Sequence, residues 1–208
     1  MIDKKSISTI LFDLGGVLIQ LHSGPFKPTW LANATTGNEV WSLWKRSEAV
    51  RLFESGSIDS DEFVQRFITE AGLQVEHDEF IAHFMKWPAR LFPGVEEMLQ
   101  ELSQSYRLAA LSNSNALHWP MVMQDMRLQQ YIPDCFASHQ IQAIKPDRKA
   151  FDTVLHRMDV RPEEVLFLDD LQVSIDTARE LGMQAVKVTG TTGGVETVRS
   201  LKLIQQCP

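Results

Sequence analysis

Four short apolar runs in this chain are continuous rather than alternating, which is the pattern of strands buried on both faces of a parallel sheet. They are STILFD, ending at Asp13; YRLAALSN, ending at Ser112 and Asn113; EVLFLDD, ending at Asp169 and Asp170; and MQAVKV, ending at Val188. A weaker fifth, DCFASH, runs from Asp134 to His139. Between them the apolar positions recur at intervals of three and four. PGVEEMLQELSQSY, from Pro93, sets Val95, Met98, Leu99 and Leu102 on one face. KPDRKAFDTVLHRM does the same with Phe151, Val154, Leu155 and Met158, and Pro146 suits its first helical position. SIDTARELGM stops at Gly182, a favoured helix terminator. Strands alternating with helices predict an α/β fold, a Rossmann-like parallel sheet flanked by helices.

Residues 22–88 break that alternation. No strand run is evident there, and SIDSDEFVQRFITEAGL reads as an amphipathic helix with Ser60 as N-cap and Phe63, Phe67 and Ile68 as its apolar stripe. Trp30, Trp41, Trp44 and Trp87 fall in this region and are expected to fill a helix-bundle core. The chain therefore divides into a sheet domain, residues 1–21 and 89–208, and a helical insert, residues 22–88, placed after the first strand.

Composition adds exclusions. A net charge of −7 argues against a nucleic-acid partner, because phosphate backbones are held by surplus Lys and Arg. No stretch approaches the roughly 20 apolar residues that cross a bilayer, so no membrane partner is expected. The start, MIDKKSISTILFDLGG, reads as a first strand rather than a signal peptide, because Asp13 interrupts the apolar run. Two cysteines, Cys135 and Cys207, lie far apart with no metal-like spacing, which fits a reducing cytoplasm.

Ligands of open parallel sheets bind beyond the carboxyl ends of the strands. Asp13, the Ser112–Asn113 pair and the Asp169–Asp170 pair all fall at predicted strand ends, and Lys145 follows the fifth strand. Any one of these has an ordinary explanation as a turn former, a cap or solvated surface. Together they comprise a carboxylate nucleophile, phosphate-binding hydroxyl and amide groups, a lysine, and a diacid suited to a hard cation such as Mg2+.

With those residues in place, the chain resembles the haloacid dehalogenase superfamily from Ile7 to about Val188. FDLGGVL matches the first motif, LSNSN the second, KPDRKAF the third and FLDDLQVSIDTARELGM the fourth. The form of the first motif is similar to that of sugar-1-phosphate phosphatases and of the epoxide hydrolase N-terminal phosphatase domain. The resemblance implies a capped phosphatase, the insert 22–88 being the cap, that hydrolyses a small-molecule phosphate ester such as a sugar phosphate with Mg2+ as cofactor. It assigns Asp13 as nucleophile, Ser112 and Asn113 as phosphate binders and Lys145 as the charge-balancing cation. Asp13, the Gly15 backbone carbonyl, Asp170 and Asp169 would be the metal site. The assembly expected is a monomer or homodimer. Alternative readings are a catalytically weak binding or regulatory protein on the same scaffold, a haloacid dehalogenase and a phosphomutase.

Three positions depart from the family pattern. Gln142 stands where Gly is common, Ser174 where Asn or Asp is common, and Gly15 where a second Asp serves as general acid and base. Loss of that acid favours leaving groups of low basicity, or requires another proton source such as His22, His118 or an ordered water. His77, His83, His139 and His156 are expected to take surface or capping roles.

Overall fold

The computed structural model describes residues 2–32, 37–189 and 192–204; Cys207 lies outside them. Strands β1 (Thr9–Phe12), β4 (Arg107–Ser112), β5 (Asp134–Ala137), β6 (Val165–Asp169) and β7 (Gln184–Lys187) form one sheet in the order β5-β4-β1-β6-β7. All its pairings are parallel, with Phe12 of β1 aligned to Ala110 on one side and Leu168 on the other. The first strand of the chain thus lies at the centre, and the chain crosses over it to build both halves.

Period-two alternation divides the strand residues between two cores. On one face Ile10, Phe12, Leu108, Ala110, Leu166 and Leu168 pack with Val95, Met98, Leu99 and Leu102 of α5 (Val95–Leu102) and with Val195 and Val198 of α10 (Gly194–Ser200). On the other face Leu11, Ala109, Leu111, Phe167 and Ala185 meet α8 (Arg148–Met158) and α9 (Gln172–Glu180). Because both faces are covered, the strands read as unbroken apolar runs.

A third core is built by α1 (Gly37–Arg46), α2 (Glu48–Glu54), α3 (Ser60–Ala71) and α4 (His77–Phe84). It is strongly aromatic. Trp44 contacts Phe63, Phe67, Phe84 and Trp87, and Phe53 stacks on Phe63 at 4.3 Å. Trp30 and Trp44 are buried, while Trp41 and Trp87 pack against the cluster from its edge, as the sequence led us to expect.

Several local expectations are corrected. Helix α3 is capped by Asp59, whose carboxylate accepts from the Glu62 amide, and Ser60 is its first residue. Helix α8 begins at Arg148 rather than at Pro146, which lies in the preceding loop after a cis peptide bond. The fifth strand stops at Ala137, and Ser138–Ile141 forms a short helix, α7. A two-stranded antiparallel ribbon, β2 (Ile19–Leu21) with β3 (Pro88–Leu91), joins the two ends of the helical segment and was not legible in sequence. Strands of three and four residues are too short to show a period. Cys135 is half-buried, with its thiol donating to the Ile132 carbonyl. Burial, reinforced by Asp134, pushes that thiol up to about 12, so it is a packing group.

Candidate active site

The parallel register brings three polar strand ends side by side. Asp13 follows β1, Ser112 closes β4 and Asp169 closes β6, on three neighbouring strands. The Asp13 amide donates to the Leu168 carbonyl at 2.8 Å, which extends the ladder one residue and holds the carboxylate at the sheet edge. Beyond it the chain turns sharply, with the Leu14 carbonyl accepting from the amides of Val17, Leu18 and Ile19. Gly16 makes that turn possible. Its φ is +75°, and a Cβ there would lie 2.8 Å from Asp170 Oδ2. Gly15 has no such constraint, since a Cβ would meet only the Leu21 side chain, at 3.2 Å.

Lys145 reaches this edge from the loop before α8. Its Nζ donates to Asp169 Oδ2 at 2.6 Å and lies 2.9 Å from Asp13 Oδ1, with 3% of its side chain exposed. The Asn113 side chain fixes the Lys145 backbone from both sides: Oδ1 accepts from the Lys145 amide at 2.7 Å, and Nδ2 donates to its carbonyl at 2.8 Å. Phosphate binding, the role expected of Asn113 from sequence, gives no sign of this clamp. Asp169 is fully buried and its other oxygen accepts from the Leu171 amide at 2.7 Å. Ser112 is 6% exposed and its hydroxyl makes only a long contact, 3.5 Å, to the Asn113 carbonyl, which leaves it available to a ligand.

Ligand atoms of Asp13, Asp169 and Asp170 lie within 4.8 Å of one another. Three carboxylates face one ammonium, and their electrostatics show the imbalance. Burial raises Asp13 to about 7, with Asp169 and Asp170 adding to the rise and Lys145 opposing it. Asp170 is raised by burial and by Asp169. Burial alone would lower Lys145, but Asp13 and Asp169 outweigh it and hold the ammonium above its ordinary value. A buried cluster with surplus negative charge and clustered oxygens is the donor set of a hard divalent cation. Ser174, in the first turn of α9, has a buried hydroxyl with no hydrogen-bond partner among the described residues, which leaves a further polar atom unsatisfied four positions past Asp170.

A profile of haloacid dehalogenase-like hydrolases matches residues 7–182. The chain belongs to this family. Among relatives of this hydrolase, D-ribitol-5-phosphate phosphatase of Bacteroides thetaiotaomicron is 25% identical over 192 residues, which covers 86% of this chain and 90% of the relative. (S)-2-haloacid dehalogenase 4A of Burkholderia cepacia is 22% identical, covering 88% and 83%. A HAD-family enzyme of Bacteroides thetaiotaomicron, solved in complex with magnesium and inorganic phosphate, superposes with a TM-score of 0.73 at 23% identity, covering 88% of this hydrolase and 94% of that chain. At that identity the likeness establishes the fold.

The three departures from the family pattern have different structural meanings. Gln142 has φ 52° at the end of α7, the left-handed conformation that glycine takes most easily. Ser174 supplies the orphaned hydroxyl just described. Gly15 leaves the site without a side chain at that position, and the buried histidine considered as a substitute does not fill the role. His118 Nε2 donates to the Phe84 carbonyl at 2.8 Å and its Nδ1 accepts from Asn115 Nδ2 at 3.2 Å, so both nitrogens are engaged. Burial lowers it to about 4, and it stays neutral as a strut between the core and α4. His22 is exposed, and its backbone amide donates to the Trp87 carbonyl at 2.9 Å.

One group at the site was missed altogether. Glu54, the last residue of α2, is partly buried and lies in the electrostatic field of Asp13 and Lys145. Burial, with Asp13 adding and Lys145 opposing, raises it to about 7. No local motif marks it; the docking of α2 against α7 brings it there.

Proposed function

We propose that this hydrolase is a Mg2+-dependent phosphatase that cleaves a small phosphorylated metabolite through an aspartyl-phosphate on Asp13. The observation that carries the reading is the Asp13–Lys145–Asp169 bridge beside Asp170, at the ends of adjacent parallel strands. In this reading residues 1–21 and 89–208 are the catalytic core and 22–88 the cap that covers it. The protein works in the cytoplasm as a monomer or homodimer, on a phosphate ester of a sugar or sugar alcohol. The phosphatase relative supports that substrate class.

Asp13, Asp169, Asp170 and the Gly15 carbonyl would hold the cation, which supplies charge neutralisation that lets a dianionic phosphate approach a carboxylate. Asp13 then attacks phosphorus, and the resulting acyl phosphate is easier for water to hydrolyse than the original ester. Lys145 balances charge shared between Asp13 and the phosphoryl group. The Ser112 hydroxyl and the Asn113 amide orient the phosphoryl oxygens, while the Asn113 side chain keeps Lys145 in place. Reading the protein instead as a C–halogen hydrolase leaves Asp170 and the surplus negative charge without a role.

The test is phosphate release from p-nitrophenyl phosphate and from a panel of sugar and polyol phosphates. Turnover should require Mg2+ and fall by more than about 10³-fold in Asp13→Asn. Absence of turnover across the panel at saturating Mg2+ overturns the reading.

A further inference from the structure

The missing acid at Gly15 leaves a chemical vacancy: an alkoxide leaving group must receive a proton as its bond to phosphorus breaks, and His118, with both nitrogens engaged, is not free to give it. We propose that Glu54, contributed by the helical segment, is the general acid and base of this enzyme. The proposal rests on the phosphatase reading above and adds to it the source of the proton.

Three contacts fix where the end of α2, and with it Glu54, docks. Phe53, the preceding residue, is buried in the aromatic core and fixes the rotation of α2 about its axis. Two residues after Glu54, Gly56 runs so close to the His139 carbonyl of α7 that a Cβ would collide with it. One turn earlier, Arg51 lies 3.9 Å from Asp147, next to the Lys145–Pro146 loop. The end of α2 is therefore docked onto the two elements, α7 and the Lys145 loop, that flank the reactive carboxylates. The charged groups acting on Glu54 are Asp13 and Lys145. Among the described residues none forms a hydrogen bond or ion pair with its partly buried carboxylate, so the group is not tied up in a structural bridge.

The step balances without any added reagent. An Asp13 carboxylate oxygen forms a bond to phosphorus as the ester P–O bond breaks. The departing electron pair takes the Glu54 proton, giving an alcohol, an aspartyl-phosphate and a Glu54 carboxylate. Water then attacks phosphorus, its proton passes to Glu54, and the Asp13–phosphorus bond breaks to give inorganic phosphate and the starting enzyme.

Two substrates with Mg2+ present separate this role from a structural one: p-nitrophenyl phosphate, whose leaving group needs little protonation, and an alkyl phosphate such as glycerol phosphate, whose leaving group needs it fully. Glu54→Gln should lower kcat/KM for the alkyl ester by about 10²–10⁴-fold and that for the aryl ester by a much smaller factor. Gly15→Asp introduced into Glu54→Gln should return at least about tenfold of the alkyl activity, since space for the new side chain is limited only by Leu21, a partly exposed side chain. Equal losses on both esters, or no loss on either, overturn the assignment while leaving the phosphatase reading intact. A wild-type protein inert on both esters overturns both. Glu54→Ala, measured alongside, guards against an effect peculiar to glutamine and should show the same selectivity.

Discussion

At the scale of single residues, the chemistry is a charge account held inside a nearly dry pocket. Lys145 is the cation that allows Asp13 and Asp169 to share that space, and removing it leaves two buried carboxylates facing each other. Lys145→Met should therefore destabilise the fold by roughly 3–5 kcal/mol, the range for breaking one side of a buried ion pair. The loss, followed by thermal melting, should be larger at pH 8 than at pH 5, where the carboxylates can take up protons. Asp13 shows the opposite balance. Its pKa in the folded chain is raised to about 7 from 3.8, so the folded protein holds that proton more tightly than the unfolded chain. Stability from this group is present at low pH and falls as pH rises from about 4 to 7. In metal-free protein, Asp13→Asn should thus raise stability at pH 8, on the order of a few kcal/mol, and change it little at pH 4. A melting temperature that moves equally at both pH values contradicts this account. Much of this was legible: the residue types at strand ends were visible in sequence. The bridging of one lysine to two aspartates, and the Asn113 clamp on its backbone, were not, because both join residues 24 to 132 positions apart.

At the scale of elements, α2 is the part whose position decides most. Its N-terminus is closed by Ser47, which accepts from the Val50 amide, and by Glu70 of α3, which accepts from the Glu48 and Ala49 amides and from the Ser47 hydroxyl. Ser47→Ala should cost about 1 kcal/mol in denaturant unfolding. Its C-terminus runs into Gly56, whose φ of +72° and close approach to His139 exclude a side chain. Gly72 offers a control: its φ is +65°, yet no atom lies within 4 Å of where its Cβ would be. Both Gly→Ala changes should lose about 1–2 kcal/mol from backbone conformation. Only Gly56→Ala should also reduce turnover sharply, because it alone lifts α2 from α7. Equal activities would show that this contact does not position the site. Periodicity revealed the helices of this segment, and it could not reveal which end of which helix meets the sheet.

At the scale of the whole molecule, the two cores of the sheet and the aromatic core of the helical segment meet through a few defined links. Among them are the β2–β3 ribbon, the His118 bond to Phe84, the Arg51–Asp147 pair and the seat of Gly56 on His139. The carboxylates proposed to hold the cation close β1 and β6, two adjacent strands of the sheet, so its binding should act on global stability. Mg2+ at 100 times its dissociation constant should add about 2.7 kcal/mol, reversed by EDTA. The gain should be greater at pH 8 than at pH 5, because bound metal and protons compete for the same carboxylates. Calorimetry at the two pH values checks this, and a gain independent of pH would place the binding elsewhere.

The order of apolar runs and helical stripes by itself determined the layered α/β core, since a strand buried on both faces and a helix buried on one carry distinct periods. It also determined the reactive residue types, because a parallel sheet presents its strand ends to ligand. Tertiary structure decided what no local pattern can encode: that His118 is a neutral strut, that Asn113 holds a lysine in place, and that the end of α2 docks on α7. The first two, and the Glu54 role proposed above, depend on where separately folded segments dock. Docking is set by complementary surfaces, here Gly56 on a backbone carbonyl and Phe53 in an aromatic core, and not by the spacing of residues along the chain.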